Sequence, residues 1–362
     1  LKTQLLNLVY LLSILFLGSC KLFCPENDKF ADDVLPRIAF LRTNAPYEFE
    51  LEMDLLIMDR NGNNETQLTF DLVVYDFNFS PNGEKICFRA YDSDIPNIYL
   101  VNSDGSDLVK LTDDEKRYLL PSFTPDGSKL IFSLDIDDYN IDIMTMDIDG
   151  NNKTNISNST DNWELFGDIS PDGSKIVYIS DHPNDNGTSA MFIMDINGEN
   201  KYCLTSNYHD TIISFPISPK FSQDGQKIIF LNHNSYGIGS ISINGGNFKS
   251  LYKVPNFDRI SNFKISPDDN SLNFYIPSHL SQEGTGIPAE SFEINIDGSG
   301  LINLSNLYGV RSPFVYSHDN TLIAYATYDP VSSIPQVFLM ERDYSNKVVL
   351  TKNGGHRPKF QP

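Results

Sequence analysis

The sequence predicts an all-β fold, a seven-bladed β-propeller in which the C-terminal strand completes blade one. Three observations predict it. A Ser-Pro-Asp-Gly-like tetrapeptide recurs at spacings of 44, 46, 52, 44 and 51 residues. An Asx-x-Asx-Gly turn and then a Leu-Thr-like pair follow it within each period. Of the 362 residues, 40% are apolar and 12% aromatic, with 18 Tyr and 24 Phe against 1 Trp, a balance that suits strands.

The first element is an address. Lys2 precedes a mostly apolar run over residues 5–17, which gives way to Gly18, Ser19 and Cys20 and then to polar chain. That is the layout of a secretory signal, and the run is shorter than the ~20 residues a spanning helix needs. Leu17-Gly18-Ser19-Cys20 resembles the bacterial lipobox. The resemblance implies a lipoprotein signal peptide over 1–19, lipidation of Cys20 and a lipidated tether over 20–35. The alternatives are a plain secretory peptide with an incidental cysteine, or a buried N-terminal helix.

The repeats occupy 36–362. The first signature appears as Phe79-Ser80-Pro81-Asn82-Gly83, Phe123-Thr124-Pro125-Asp126-Gly127, Ile169-Ser170-Pro171-Asp172-Gly173, Phe221-Ser222-Gln223-Asp224-Gly225, Ile265-Ser266-Pro267-Asp268-Asp269 and Tyr316-Ser317-His318-Asp319-Asn320. The second includes Asp59-Arg60-Asn61-Gly62, Asp147-Ile148-Asp149-Gly150 and Asp195-Ile196-Asn197-Gly198. The third runs from Leu68-Thr69 to Leu350-Thr351, with Leu251-Tyr252 as its odd member. Asn-Gly and Asp-Gly between apolar runs mark hairpins. Each unit therefore reads as four strands A to D, in the second unit over 75–80, 85–90, 97–102 and 108–112. Four-stranded units at this period are propeller blades. The first unit lacks strand A, and the last nine residues form an orphan strand A. Pro362 lies 44 residues after His318, one further period. The orphan should complete blade one and remove two free sheet edges.

These motifs resemble the WD40-like PD40 repeat of TolB-type propellers, over nearly all of 36–362. The resemblance implies a protein-docking platform in the bacterial envelope. The chain departs from the TolB pattern in having seven units where six are typical, and in carrying a lipobox.

Hairpins A–B and C–D share one rim, and the B–C and D–A connections share the other. The second rim varies most, over 181–190, 205–218, 277–291 and 327–336. Regular turns with variable loops opposite place function at the variable rim. Counting back from each Pro-equivalent puts Arg117, Trp163, Phe215, Arg259, Arg311 and Arg357 near the channel mouth. Guanidiniums suit carboxylate or phosphate. The competing reading is that each Arg pairs with an acid of its own blade.

Other chemistry finds less support. The Asx-x-Asx-Gly turns lack the ligand set of a calcium loop. The six histidines show no zinc spacing, and no Gly-x-Ser-x-Gly elbow or phosphate loop occurs. No catalytic residue, metal site or cofactor is expected. With 27 Lys plus Arg against 48 Asp plus Glu, the net charge of −21 opposes nucleic-acid binding. The expectation is therefore a lipid-anchored propeller of the cell envelope, at the outer membrane or its periplasmic side, with the cell surface as the alternative. It would dock another envelope protein without catalysis, held to the membrane by Cys20. The second reading is a propeller enzyme or binding protein acting on acidic oligosaccharides, such as a lyase.

Overall fold

Strand B of blade 2 shows how a repeat becomes a sheet buried on both faces. Successive side chains in a strand point to opposite faces. Ile86, Phe88 and Ala90 pack into the seam with blade 1, while Cys87 packs into the seam with blade 3. All four are buried, so apolar residues face both sides of the strand, with Arg89 as the one break between Ile86 and Ala90.

The computed structural model describes residues 37–362 apart from 44–52, 93, 138–139, 160–162, 182–188, 207–212, 214–215, 233–236, 255–258, 281–285 and 329–333. Seven four-stranded antiparallel sheets form, each in the order A-B-C-D. A small hairpin, His279–Leu280 with Gly286–Ile287, is inserted between strands B and C of blade 6. Among the described residues there is one helix, α1 (Leu304–Tyr308), capped by Asn303 and by Gly309 in the left-handed region. Seven apolar clusters fill the seams, one between each pair of neighbouring blades, including the closing seam between blades 7 and 1.

Closure follows the expected route. Strand A of blade 1 is His356–Phe360, paired antiparallel with Ile38–Thr43 through Ile38↔Phe360 and Ala39↔Lys359. The Gln361 amide donates to Arg37 O at 2.8 Å, and the Gln361 side chain reaches Gly83 O at 2.7 Å.

The signatures have separate structural causes. In the A–B turns, the Ser80 hydroxyl donates to Asn82 Oδ1 at 2.7 Å and accepts from the Lys85 amide at 2.9 Å. Thr124, Ser170, Ser222, Ser266 and Ser317 do the same in their blades. Hydrogen bonds from Ser170 and Ser174 hold the Asp172 carboxyl down at about 2. In the Leu-Thr pair, the Thr112 hydroxyl accepts from the Ile98 amide at 3.0 Å and donates to Asn97 Oδ1 at 2.9 Å. Thr69, Ser157, Thr205, Ser305 and Thr351 accept equivalent bonds.

That hydroxyl takes the bond a longer strand D would have supplied. Strand D of blade 2 is therefore Val109–Lys110, shorter than the expected 108–112. Blade 5 has Tyr252 at this position, the ladder continues, and its strand D runs Lys249–Lys253. Strand A of blade 2 is Val73–Phe79, longer at its start than expected, because a bulge at Tyr75 keeps the pairing going.

Candidate functional site

Of the six residues singled out at the channel mouth, Arg117, Trp163, Arg259, Arg311 and Arg357 are described, and all five are exposed. Arg117 precedes strand A of blade 3 (Tyr118–Phe123), and its Nη1 lies 3.8 Å from Asp135 Oδ2 in its own blade. Trp163 opens blade 4 and bridges Ile141 of blade 3. Arg311 donates to Ala289 O at 3.3 Å. Arg357 sits in strand A of blade 1 with φ 47°, and its Nη1 donates to Tyr75 O in blade 2. Arg259 precedes strand A of blade 6 (Asn262–Ile265). Pairing with an acid of the same blade occurs at Arg117, at a distance and exposure where such pairs contribute little. Arg311 and Arg357 bond backbone carbonyls instead. Among the described residues, no hydrogen bond or ion pair joins any two of the five. Phe215 and Cys20 lie outside the described residues, as do His182, His209 and His233.

The same rim exposes large apolar groups. Phe70 is 64% exposed, Trp163 47% and Leu307 of α1 65%. Leu120, Ile217 and Tyr308 accompany them at strand starts or in D–A connections. The opposite rim carries the Ser-Asp turns, whose polar groups are largely spent on one another, with Leu108, Leu301 and Val348 exposed just after the C–D turns.

An acidic pair lies at the blade 3–4 seam beneath this rim. Asp142 is buried and accepts from Asn155 at 2.7 Å, Ser157 at 3.1 Å and the Ser159 amide at 3.0 Å. Glu164 is also buried, and its Oε2 has no partner. Burial pushes the Glu164 carboxyl above its usual range, with the Asp142 charge adding to the effect. The folded state then holds a proton that the unfolded state releases. This stabilising share is full at low pH and fades as pH rises through the raised value. Glu164→Gln is expected to raise stability by about 1 kcal/mol at pH 7. The gain should shrink towards pH 4, which paired melting curves of variant and parent would check.

The channel holds a layer that sequence reasoning missed. The penultimate residue of strand A occupies the same register in every blade: Lys359↔Ala39, Asn78↔Cys87, Ser122↔Ile131, Asp168↔Val177, Lys220↔Ile229, Lys264↔Asn273 and Val315↔Ala324. Lys359 Nζ donates across the seam to Asn78 Oδ1 at 2.8 Å and to Phe77 O. Lys220 Nζ reaches Gly167 O at 3.0 Å and Asp168 Oδ1 at 3.2 Å. Each lysine precedes the aromatic or aliphatic residue of the first signature, a signal that was legible. Among the described residues, no group of three or more His, Cys, Asp or Glu side chains is placed to hold a metal ion. Cys87 and Cys203 are free thiols, and burial pushes the Cys87 thiol up to about 12.

A closed seven-bladed ring, with one rim of short regular turns and the other of variable connections that bear Trp163 and the exposed arginines, defines a β-propeller scaffold. The PD40 family, the TolB β-propeller domain, matches residues 34–256, more than half of the chain, and the chain belongs to that family. It is 25% identical over 212 residues to the Tol-Pal system protein TolB of Francisella tularensis subsp. mediasiatica, covering 57% of this chain and 46% of that protein. It is 25% identical over 186 residues to an uncharacterized protein of Agrobacterium fabrum, covering 49% of this chain and 61% of that one. The chain thus spans about half the length of the curated relatives it matches.

Among solved structures, TolB from Acinetobacter baumannii superposes with a TM-score of 0.52 at 18% identity, covering 90% of this chain and 67% of that one. Oligogalacturonate lyase from Vibrio parahaemolyticus superposes at 0.61 and 13% identity, covering 87% and 84%. At these identities the likeness is one of fold.

Proposed function

We propose that this protein is a lipid-anchored propeller of the bacterial cell envelope that docks another envelope protein without catalysis. Residues 1–19 would be the signal peptide, Cys20 the lipidated residue, 20–35 the tether and 36–362 the propeller. The observation that carries the reading is the pairing of exposed aromatic residues with arginines on one rim. Phe70, Trp163 and Leu307 are exposed on the side that also bears Arg117, Arg259 and Arg311. Aromatic residues and arginine are the side chains enriched where proteins bind one another. Relatives named for the Tol-Pal system support an envelope partner. Acyl chains would fix location and raise the local concentration of the platform.

The test is affinity capture from crosslinked native envelopes, with the parent and an Arg117→Ala/Trp163→Ala/Arg259→Ala/Arg311→Ala variant of unchanged melting temperature. One dominant protein, lost in the variant, is the expected result. A partner that the variant retains removes this rim from the reading. Capture of an acidic glycan instead moves the function to the oligosaccharide-acting alternative. Loss of palmitate labelling in Cys20→Ser checks the anchor.

A further inference from the structure

We propose that the central channel contains an anion-binding site, formed by Lys220, Lys264 and Lys359, for the phosphate or carboxylate group of a small ligand. The site lies at the ends of strands A, next to the A–B turns and away from the rim proposed to dock a protein. It stands independently of that docking reading.

Three observations converge on it. First, the register places the three lysines at the same level of the innermost strands, from blades 5, 6 and 1, and their charges act on one another: Lys220 on Lys264, and both on Lys359. Second, the acids near this layer are already engaged. Asp168 accepts from the Phe221 amide at 2.9 Å as well as from Lys220, and Asp76 is paired with Arg89 at 2.9 Å. With Arg89 counted against Asp76 and Lys220 against Asp168, the layer carries more positive than negative charge, and Lys264 is in no ion pair among the described residues. Third, Lys264 is half-buried and has no hydrogen bond or ion pair among the described residues. A partly desolvated ammonium without a partner favours an anion beside it.

The surroundings fit this account. Burial, with the Lys220 charge acting in the same direction and Asp168 opposing, lowers Lys264 to about 8. Burial lowers Lys359 to about 7, where Lys264 and Lys220 act in the same direction and Asp76 and Cys87 oppose them. A bound oxyanion would restore both protons. Affinity should therefore fall as pH rises through about 7 to 8, whereas an ordinary lysine site persists to about 10.

The experiment is calorimetric titration of the full chain with inorganic phosphate, pyrophosphate and citrate, at pH 6.5 and pH 9, against a chloride control of equal ionic strength. Saturable binding at least tenfold tighter at pH 6.5, with proton uptake seen as a buffer-dependent heat, is expected. Tighter binding of phosphate or pyrophosphate identifies a phosphate site, and tighter binding of citrate a carboxylate site. Lys264→Met should abolish the heat. It should also raise the melting temperature of the anion-free protein, because it removes an unpartnered, half-buried cation. No saturable binding at millimolar anion overturns the proposal. So does binding unchanged in Lys264→Met, or a lower melting temperature in that variant together with intact binding.

Discussion

Deleting residues 355–362 is expected to abolish the cooperative unfolding of the ring. The segment supplies strand A of blade 1, and its loss leaves Ile38–Thr43 as a bare edge beside an open seam. Phe360 is buried there against Ile38, Phe40, Val337 and Leu339. Phe360→Ala alone should cost about 3 kcal/mol or more. The deletion adds the ladder bonds and the Gln361 contacts to Arg37 and Gly83, a large share of the ~5–15 kcal/mol that stabilises a typical protein. Calorimetry should show a sharp transition in the parent and a broad or absent one in the deletion variant. A permuted chain that begins at Gly354 and joins Pro362 to Arg37 through an Asp-Gly turn should recover the sharp transition. A deletion variant that melts like the parent would show that the closing strand is dispensable.

Gly198→Ala is expected to be among the most damaging single-methyl changes in the molecule. Gly198 closes the C–D turn of blade 4 at φ 85°, a conformation L side chains rarely adopt. A Cβ there would also collide with the carbonyl oxygen of Ile156 in blade 3. Gly309, at the end of α1, has φ 70° but nothing within 4 Å of an added Cβ. Gly309→Ala should cost about 1 kcal/mol, the conformational share alone, and Gly198→Ala about 3 kcal/mol or more. Equal costs in urea titrations of the two variants would remove the close approach as the cause. The geometry repeats around the ring: a Cβ on Gly298 would lie 2.9 Å from Leu251 O, and one on Gly62 2.7 Å from Leu350 O. The Asx-x-Asx-Gly turn of each of these blades therefore presses on the Leu-Thr pair of the blade before it.

That contact shows how legible the fold was, and where legibility stopped. Both signatures can be read from the chain, as can their hairpins, because turn residues with special backbone demands and period-two alternation are local properties. Strand closure was legible too, since it needed only a missing strand A at one end and a spare one at the other. Their meeting across the seam, Gly62 on Leu350 or Gly198 on Ile156, joins residues far apart in sequence. It emerged only when the blades stacked.

The candidate site divides in the same way. Counting back from the Pro-equivalents found Arg117, Trp163, Arg259, Arg311 and Arg357 as exposed groups on one side of the disc. It could not say what they touch, and the structure gives Arg311 and Arg357 backbone carbonyls as partners. It passed over Lys359, two residues beyond Arg357, although Lys359 precedes Phe360 as Lys220 precedes Phe221 and Lys264 precedes Ile265. The sequence by itself determined the blade count, the hairpin turns and the closing strand, all consequences of short-range periodicity and turn chemistry. The tertiary structure decided which seam each glycine must fit and what each lysine of the inner strands touches, because both depend on distances between blades that no local pattern encodes.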